Sequence, residues 1–184
     1  MKFSNYLTGF VSLASFAAAL PSSVSAPTDL FRRSAIEIRN ALEAAQAKAV
    51  TLGDLFEAAT DASAIPGIET AGADLVASIN SAEEIAAASN ELTLIEALGF
   101  AGTVTSLEGT IDDLVSVVEE KKPLVEEIDY VDELLAYLTE LQAATNAFGV
   151  TILTKVPDAA KSIAQGYIDD LNETLAEVVA YYTS

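Results

Sequence analysis

Residues 104–123, VTSLEGTIDDLVSVVEEKKP, determine what the rest of the chain has to pack against. Apolar residues recur in this stretch at intervals of three and four with acidic residues between them, which is typical of an amphipathic helix that packs against other helices. These apolar positions are Val104, Leu107, Ile111, Leu114 and Val118. Pro123 cannot continue a helix and disfavours helical geometry at Lys122, so we expect this helix to end near residues 121–122.

Two later segments carry the same kind of apolar stripe, and stripes of this kind have to bury one another. Their positions are Leu124, Ile128, Val131, Leu135 and Leu138 in one segment, and Ala164, Ile168, Leu171, Leu175, Val178 and Tyr182 in the other. A Ser-x-x-Glu capping box at residues 34–37 predicts the start of a first helix, and an Ala-rich second helix follows from about Ile68. The sequence therefore predicts an all-α fold, a five-helix amphipathic bundle in a single domain.

The first 33 residues have the features of export and processing. Lys2 precedes a short apolar run over residues 6–20, which predicts a secretory signal peptide rather than a membrane span of about 20 residues. We expect cleavage after Ala19, with Ala26 as the alternative site. The dibasic pair Arg32–Arg33 resembles a kexin-type processing site, although an ordinary charged linker is the alternative. The predicted boundaries are a signal peptide over 1–19, a propeptide over 20–33 and a helical domain over 34–184.

The predicted mature chain, residues 34–184, is strongly acidic and has no cysteine. It holds 27 acidic residues against six basic ones, a formal net charge of −21. Such a surface disfavours nucleic acid and anionic lipid headgroups as partners. About 150 residues can bury about 68–70% of the unfolded surface, so one domain is expected to fold without disulfides. No apolar run long enough for a membrane span follows the signal peptide, so we expect a secreted, extracellular protein, with association with a cell wall left open.

Most catalytic chemistry is disfavoured by composition. The chain has no His and no Cys, which excludes histidine-dependent triads, the usual zinc sites and ferritin-like di-iron centres. Acidic pairs such as residues 119–120 and 169–170 lie beside apolar stripes, and a solvated helix face explains them better than a catalytic pair does. We therefore predict a protein that is not an enzyme, with no catalytic residue, metal or cofactor. Asn172, in Asn-Glu-Thr, is the one glycosylation sequon.

Several short motifs in the second half of the chain resemble one family. They are Val104-Thr105-Ser106-Leu107, Ile111-Asp112-Asp113-Leu114, Lys121-Lys122-Pro123, Leu138-Thr139-Glu140-Leu141, Ala144-Thr145-Asn146-Ala147 and Leu153-Thr154-Lys155-Val156-Pro157. Over residues 34–184 the chain resembles the fungal hydrophobic surface-binding protein A family, which includes the ligand-binding domains of antigenic cell wall galactomannoproteins. The chain departs from the galactomannoproteins in lacking a long Ser/Thr-rich tail.

The resemblance implies a secreted or wall-associated helical bundle that binds hydrophobic material. We expect a fatty acid or similar lipid in an apolar tunnel between the helices. The apolar candidates for its walls are Leu107, Ile111, Leu114, Val118, Leu135, Leu138, Phe148, Ile168, Leu171 and Leu175, and the polar contact candidates are Gln142, Thr145 and Thr151. Each of these residues also fits an ordinary core or helix interface.

Two other functions remain open from the sequence. In the first, the bundle adsorbs to hydrophobic surfaces such as wax, polyester or cell wall and helps to recruit a secreted polyester hydrolase. In the second, the protein is a structural cell-wall antigen without a ligand. An internal cavity would favour the lipid carrier, whereas a solidly packed bundle would favour the structural role.

Overall fold

Helices account for all regular secondary structure in the part of the chain that the structure describes. The computed structural model describes the backbone of residues 27–184 and the side chains of residues 34–184. The elements are α1 (Pro27–Ala58), a 3-10 helix (Ala62–Ala64), α2 (Ile65–Ala88), α3 (Leu94–Gly99), α4 (Ala101–Glu120), α5 (Lys122–Glu127), α6 (Val131–Lys155) and α7 (Asp158–Thr183). The predicted signal peptide and both of its candidate cleavage sites lie outside the described residues. The all-α prediction is confirmed for the described part.

The number of helices differs from the prediction. Residues 27–184 form five long helices and two six-residue helices, because two predicted helices are each divided: the third, which contains Val104, and the fourth, which starts at Leu124. The third divides at Phe100, between α3 and α4. The fourth divides at Asp129, whose φ of 56° lies in the left-handed region and changes the phase of the helix that follows. As a result Leu134, which is 1% exposed, is buried near the start of α6 instead of Leu135.

The bounds of two helices also differ from those expected. α1 begins at Pro27, so Ser34 lies inside the helix and the capping box predicted at its start is wrong. Proline suits a first helical position because its missing N–H would have no partner there, and no helix breaker separates it from Ser34. The fourth predicted helix is expected to run from Leu124 toward Phe148, with a bend or end at Gly149, but α6 continues through Gly149 to Lys155. Within residues 27–184, no helix combines the length and apolarity that a membrane span requires.

The five long helices form a closed ring in which each helix packs mainly against two neighbours. α1 packs against α2 and α4, α7 packs against α4 and α6, and α6 closes the ring against α2. Hydrogen bonds join neighbouring helices: Gln46 Nε2 donates to Thr110 Oγ1 at 3.0 Å, Thr151 Oγ1 to Glu83 Oε1 at 2.6 Å, and Tyr182 Oη to Val118 O at 2.6 Å. The ring encloses the apolar stripes of all five helices.

Buried apolar side chains inside the ring form two clusters. The large cluster is built around Leu52, Phe56, Leu134, Leu138 and Val178, each at most 3% exposed. The small cluster consists of Ala35, Ile38, Leu42, Ala86, Leu92, Phe100, Val156 and Ala160. The later parts of the predicted stripes on α4 and α7 belong to the large cluster, whereas their earlier parts lead toward the small one.

Lysines from the sequence motifs at 121–123 and 155–157 bind the carboxyl-terminal ends of other helices. Nζ of Lys121 donates to the carbonyl oxygens of Glu57 (2.7 Å) and Ala59 (2.9 Å) at the end of α1, and Nζ of Lys155 donates to those of Ala87 and Ser89 (both 2.8 Å) at the end of α2. Lys122 does the same for Tyr181 O at the end of α7, at 2.6 Å. The last carbonyls of a helix lack intrahelical partners and carry partial negative charge, so each ammonium group stabilises a helix end and ties it to the ring.

Replacement of Lys121 by Met should lower the free energy of unfolding by about 1–2 kcal/mol, because two carbonyl oxygens lose a charged donor. Urea denaturation measures the change, and Lys155→Met should behave in the same way. Lys161→Met is the control, since Lys161 pairs only with the exposed Asp158 one turn away in α7. Equal effects of Lys121→Met and Lys161→Met would contradict the capping role.

Candidate functional site

A cavity of about 120 Å³ lies inside the ring, between the large and the small cluster. Its walls come from α1, α2, α3, α4, α6 and α7. The volume is about ten times what a single water molecule needs. An empty apolar cavity of this size costs about 3 kcal/mol, at about 24 cal/mol per Å³. A ligand that fills the space recovers packing contacts that the chain alone does not make.

The lining of the cavity is almost entirely apolar. Among the described side chains, Thr145 and Tyr167 supply the only hydroxyl groups, and no charged residue lines the space. Tyr167 Oη lies 3.4 Å from Thr105 Oγ1. Helical threonines such as Thr110 and Thr139 donate to the carbonyl one turn earlier, at 2.9 and 2.8 Å, but within the described residues Thr145 makes no hydrogen bond. Its hydroxyl is therefore free to bond a polar atom inside the cavity.

The structure brings seven of the predicted site residues together around the cavity. They are Leu107, Ile111, Thr145, Phe148, Ile168, Leu171 and Leu175. Leu114, Val118 and Leu138 are buried in the large cluster instead, and Leu135 is half-buried beside it. These four residues share the helical period of the others, but they lie where side chains already fill the ring. Periodicity identifies the inward face of a helix and does not show which part of that face borders empty space.

The remaining polar candidates lie away from the cavity lining. Gln142 is half-buried on α6, and Thr151 is engaged by Glu83 of α2. Asn172 is half-buried on α7, where its Nδ2 donates to Ile168 O at 2.9 Å, and glycosylation there stays a prediction. Thr145 is the one of the three polar candidates that meets the cavity.

Several lining residues were not anticipated from the sequence. They are Ile38, Leu42, Leu75, Ile79, Leu98, Phe100, Val104, Leu141, Ile152, Val156, Ile163 and Tyr167, together with the alanines at 45, 82, 97, 101, 160 and 164. The alanines carry the signal that was available: small side chains at inward positions leave space. These alanines come from five different helices, and the Ala-rich α2 contributes only Ala82 among them.

The cavity reaches solvent at Leu98 of α3 and Ile163 of α7. Both side chains line it, yet they are 49% and 51% exposed. Leu94 and Ile95, which are 43% and 84% exposed, lie on the same short helix as Leu98. We call these four residues the mouth patch. α3 is held in place at its start by a capping box, in which the Thr93 N–H donates to Glu96 Oε2 at 2.8 Å and the Glu96 N–H to Thr93 Oγ1 at 3.3 Å.

Carboxyl groups border the cavity on the side where α4 meets α7. Glu108, between the lining residues Leu107 and Ile111, is half-buried, and its Oε1 has no hydrogen-bond partner. Loss of solvation raises the pKa of Glu108, and the neighbouring charges of Asp170 and Asp112 raise it further. This side of the ring therefore repels anions.

The comparison with protein families agrees with the motifs. The sequence profile of the hydrophobic surface binding protein A family, HsbA, matches residues 35–154. The chain belongs to this family. No curated protein sequence matches the chain at a significant level. The family resemblance inferred from the motifs is thus confirmed.

Solved structures share the fold of this HsbA-family chain. Ligand binding domain 1 of the Penicillium marneffei MP1 protein, complexed with arachidonic acids, has a TM-score of 0.77 at 19% identity, covering 80% of this chain and 98% of that one. AfMP4p in complex with palmitic acid has a TM-score of 0.78 at 19% identity, covering 80% and 99%. Ligand binding domain 2 of the MP1 protein, with multiple arachidonic acids, has a TM-score of 0.68 at 17% identity, covering 87% and 98%.

Replacement of Gly149 by Ala should destabilise the protein by about 1–3 kcal/mol and narrow the cavity. A Cβ on Gly149 would lie 2.8 Å from Cγ2 of Ile168, so the isoleucine has to move, and the space beside both residues is the cavity. Gly166→Ala is the matched control on α7, because a Cβ there meets nothing within 4 Å and alanine is the better helix former. Urea denaturation distinguishes them, and a stabilised Gly149→Ala variant would contradict the close approach of α6 and α7.

Proposed function

We propose that this protein binds a fatty acid or a similar lipid in the cavity inside its helical ring. The observation that carries the proposal is the cavity itself, which is lined by apolar side chains, contains two hydroxyl groups and opens to solvent at Leu98 and Ile163. The relatives support it, since structures with the same fold were solved with arachidonic and palmitic acids. The void also argues against a purely structural wall antigen, which would have no need of it.

The energetics favour a long apolar chain as the occupant. Each buried methylene contributes about 0.8 kcal/mol, so a long acyl chain contributes on the order of 10 kcal/mol before the cost of ordering it. Filling the void offsets the roughly 3 kcal/mol that the empty cavity costs. A small polar ligand gains little from walls that offer two hydroxyl groups.

We propose further that the protein is secreted and acts without catalysis. The predicted signal peptide supports export, and a cut after Arg33 would leave Ser34 as the first residue of α1, where its capping box with Glu37 would come into use. Among the described residues, the cavity lining has no carboxyl, amino, imidazole or thiol group, and Tyr167 is its one ionisable side chain. Solvent extraction of the secreted protein, with mass spectrometry of the extract, tests whether a lipid is carried near one per chain.

Adsorption to hydrophobic surfaces is a second candidate function, favoured by the mouth patch. Ile95 is 84% exposed, and the other three residues of the patch, Leu94, Leu98 and Ile163, are 43–51% exposed. The strong negative charge of the chain opposes dense packing on a surface, so adsorption should increase as salt screens the repulsion. Recruitment of a secreted polyester hydrolase and association with the cell wall stay predictions from the resemblance.

Replacement of Ala164 by Leu should weaken fatty acid binding at least about tenfold, because the larger side chain occupies part of the cavity. Isothermal titration with palmitic acid measures the affinity. Ala176→Leu is the matched control, since Ala176 lies on the same helix with its side chain exposed. Palmitic acid bound equally well by both variants would place the ligand outside the cavity.

Replacement of Ile95 by Ser should reduce adsorption to hydrophobic beads several-fold while binding of palmitic acid stays within about twofold, because Ile95 is outside the cavity lining. The substitution removes apolar surface that would be buried against the bead, and burial of such surface contributes about 25 cal/mol per Å² to the free energy of adsorption. Val150→Ser is the control, since Val150 is 60% exposed on α6. If both substitutions lowered adsorption to the same degree, any exposed apolar residue of the protein would contribute, and the mouth patch would have no special role.

A further inference from the structure

We propose that Arg39 of α1 binds the ionised carboxylate of an acid whose tail occupies the cavity. The inference rests on the proposed lipid binding and adds the residue that distinguishes acids from neutral lipids of the same length. It combines three observations on the described side chains: an arginine with no carboxylate partner among them, its position at the rim of the cavity, and cavity walls to which they contribute no charge.

Arg39 is the basic side chain whose hydrogen-bonding capacity is least used in residues 34–184. Each of the other basic residues has an acceptor within 2.9 Å. Lys48 pairs with Asp74 and Lys161 pairs with Asp158, whereas three lysines donate to the last carbonyl oxygens of helices: Lys121, Lys122 and Lys155. Arg39 has one distant acceptor, Gly99 O, 3.5 Å from Nη2, and its buried Nε has none. A guanidinium offers five N–H donors, so most of its donors lack a protein partner. In a chain with a net charge of −19, an arginine without a carboxylate at hand is unexpected.

The guanidinium lies at the rim of the cavity. Gly99, whose carbonyl it approaches, stands between Leu98 and Phe100, and both of these line the space. The Arg39 Cζ lies 5.9 Å from the centroid of the Phe100 ring. On α1 the preceding residue, Ile38, lines the cavity as well. Since Leu98 is also half exposed, a ligand that leaves the cavity beside it emerges next to the guanidinium.

The cavity walls offer no alternative site for a charged headgroup. An ionised carboxylate buried among apolar side chains loses its hydration, and the two neutral hydroxyl groups of Thr145 and Tyr167 compensate only part of that loss. On the α4–α7 side, Glu108, Asp112 and Asp170 repel an anion. An arginine fork, in contrast, matches the two oxygens of a carboxylate and can bind both at once. The headgroup of a bound acid is therefore expected at the rim, on the α1 side.

The test compares palmitic acid with the alcohol of the same chain length. Arg39→Gln should lower the affinity for the acid about ten- to hundredfold and leave the affinity for the alcohol within about twofold, because only the acid loses a charge-assisted hydrogen bond. The affinity of Arg39→Lys for the acid should lie between those of the unmodified protein and Arg39→Gln, since an ammonium keeps the positive charge but cannot bind both carboxylate oxygens as a guanidinium does. Lys161→Gln, which removes an exposed cation on α7, is the control and should change neither affinity.

Four outcomes would overturn the proposal, and they differ in what they overturn. Equal weakening of acid and alcohol by Arg39→Gln would mean that Arg39 only supports the cavity wall. Unchanged affinity for the acid would place the headgroup elsewhere, with Thr145 the next residue to test. If Lys161→Gln lowered the affinity for the acid as much as Arg39→Gln does, the effect would come from the change in net charge and not from a contact with Arg39. Failure of the unmodified protein to bind either lipid would overturn the proposed function together with the proposed role of Arg39. Should Arg39→Gln fail to fold, Arg39→Lys decides the question: at constant pH, the carbon-13 chemical shift of the bound carboxyl should differ between this variant and the unmodified protein, and an identical shift would overturn the contact.

Discussion

The closure of five helices into a ring is the constraint on which the rest of the structure depends. Packed helices lie about 8–10 Å apart, so the axes of five helices in a ring stand about 7–8.5 Å from its centre. A helix with its side chains has a radius of about 5–6 Å, which leaves a central space that no backbone reaches. Only long side chains or a ligand can fill it.

The two ends of the ring meet this requirement differently. In the large cluster, residues such as Phe56, Leu134 and Leu138 converge on the centre and exclude solvent. Around the cavity the inward positions include Ala45, Ala82 and Ala164, whose side chains are too short to meet across the ring. Lys121, which follows α4, and Lys155, the last residue of α6, bind the carboxyl-terminal ends of α1 and α2 and tie these helices to the ring. A void beside the small cluster is compatible with a stable fold because the large cluster is solidly packed.

The fold followed from the sequence to the extent that it depends on local patterns. The stripes on α4 and α7 identified the inward faces, and Pro123 ended its helix close to the expected place. What escaped prediction depends on non-local geometry. Asp129, in the left-handed region, shifted the phase of α6 and exchanged Leu135 for Leu134. The order of helices around the ring brought Ile38 and Leu42 against a space that no local pattern reveals.

The candidate site was predictable in kind but only partly in its residues. Seven of the thirteen cavity candidates line the cavity, since apolar period and position along the stripe cannot separate a wall from a filled core. A single arginine such as Arg39 carries no sequence pattern; its meaning comes from the absence of a carboxylate partner among residues 34–184, which depends on the three-dimensional structure. Thr145 gained its significance in the same way, from a hydroxyl that lacks the usual bond to its own helix.

Stability and ligand binding are linked through the same empty space. A cavity that costs about 3 kcal/mol when empty lowers the stability of the unliganded ring, and any ligand that binds the folded state alone restores it by mass action. The mouth patch belongs to this end of the molecule, where α3 is a single short helix and Leu98 is both a wall and an exposed residue. A hydrophobic surface that contacts the patch therefore touches the entrance to the cavity. The two proposed functions, adsorption and lipid binding, are compatible, because the exposed apolar surface proposed for the first lies at the opening of the cavity proposed for the second.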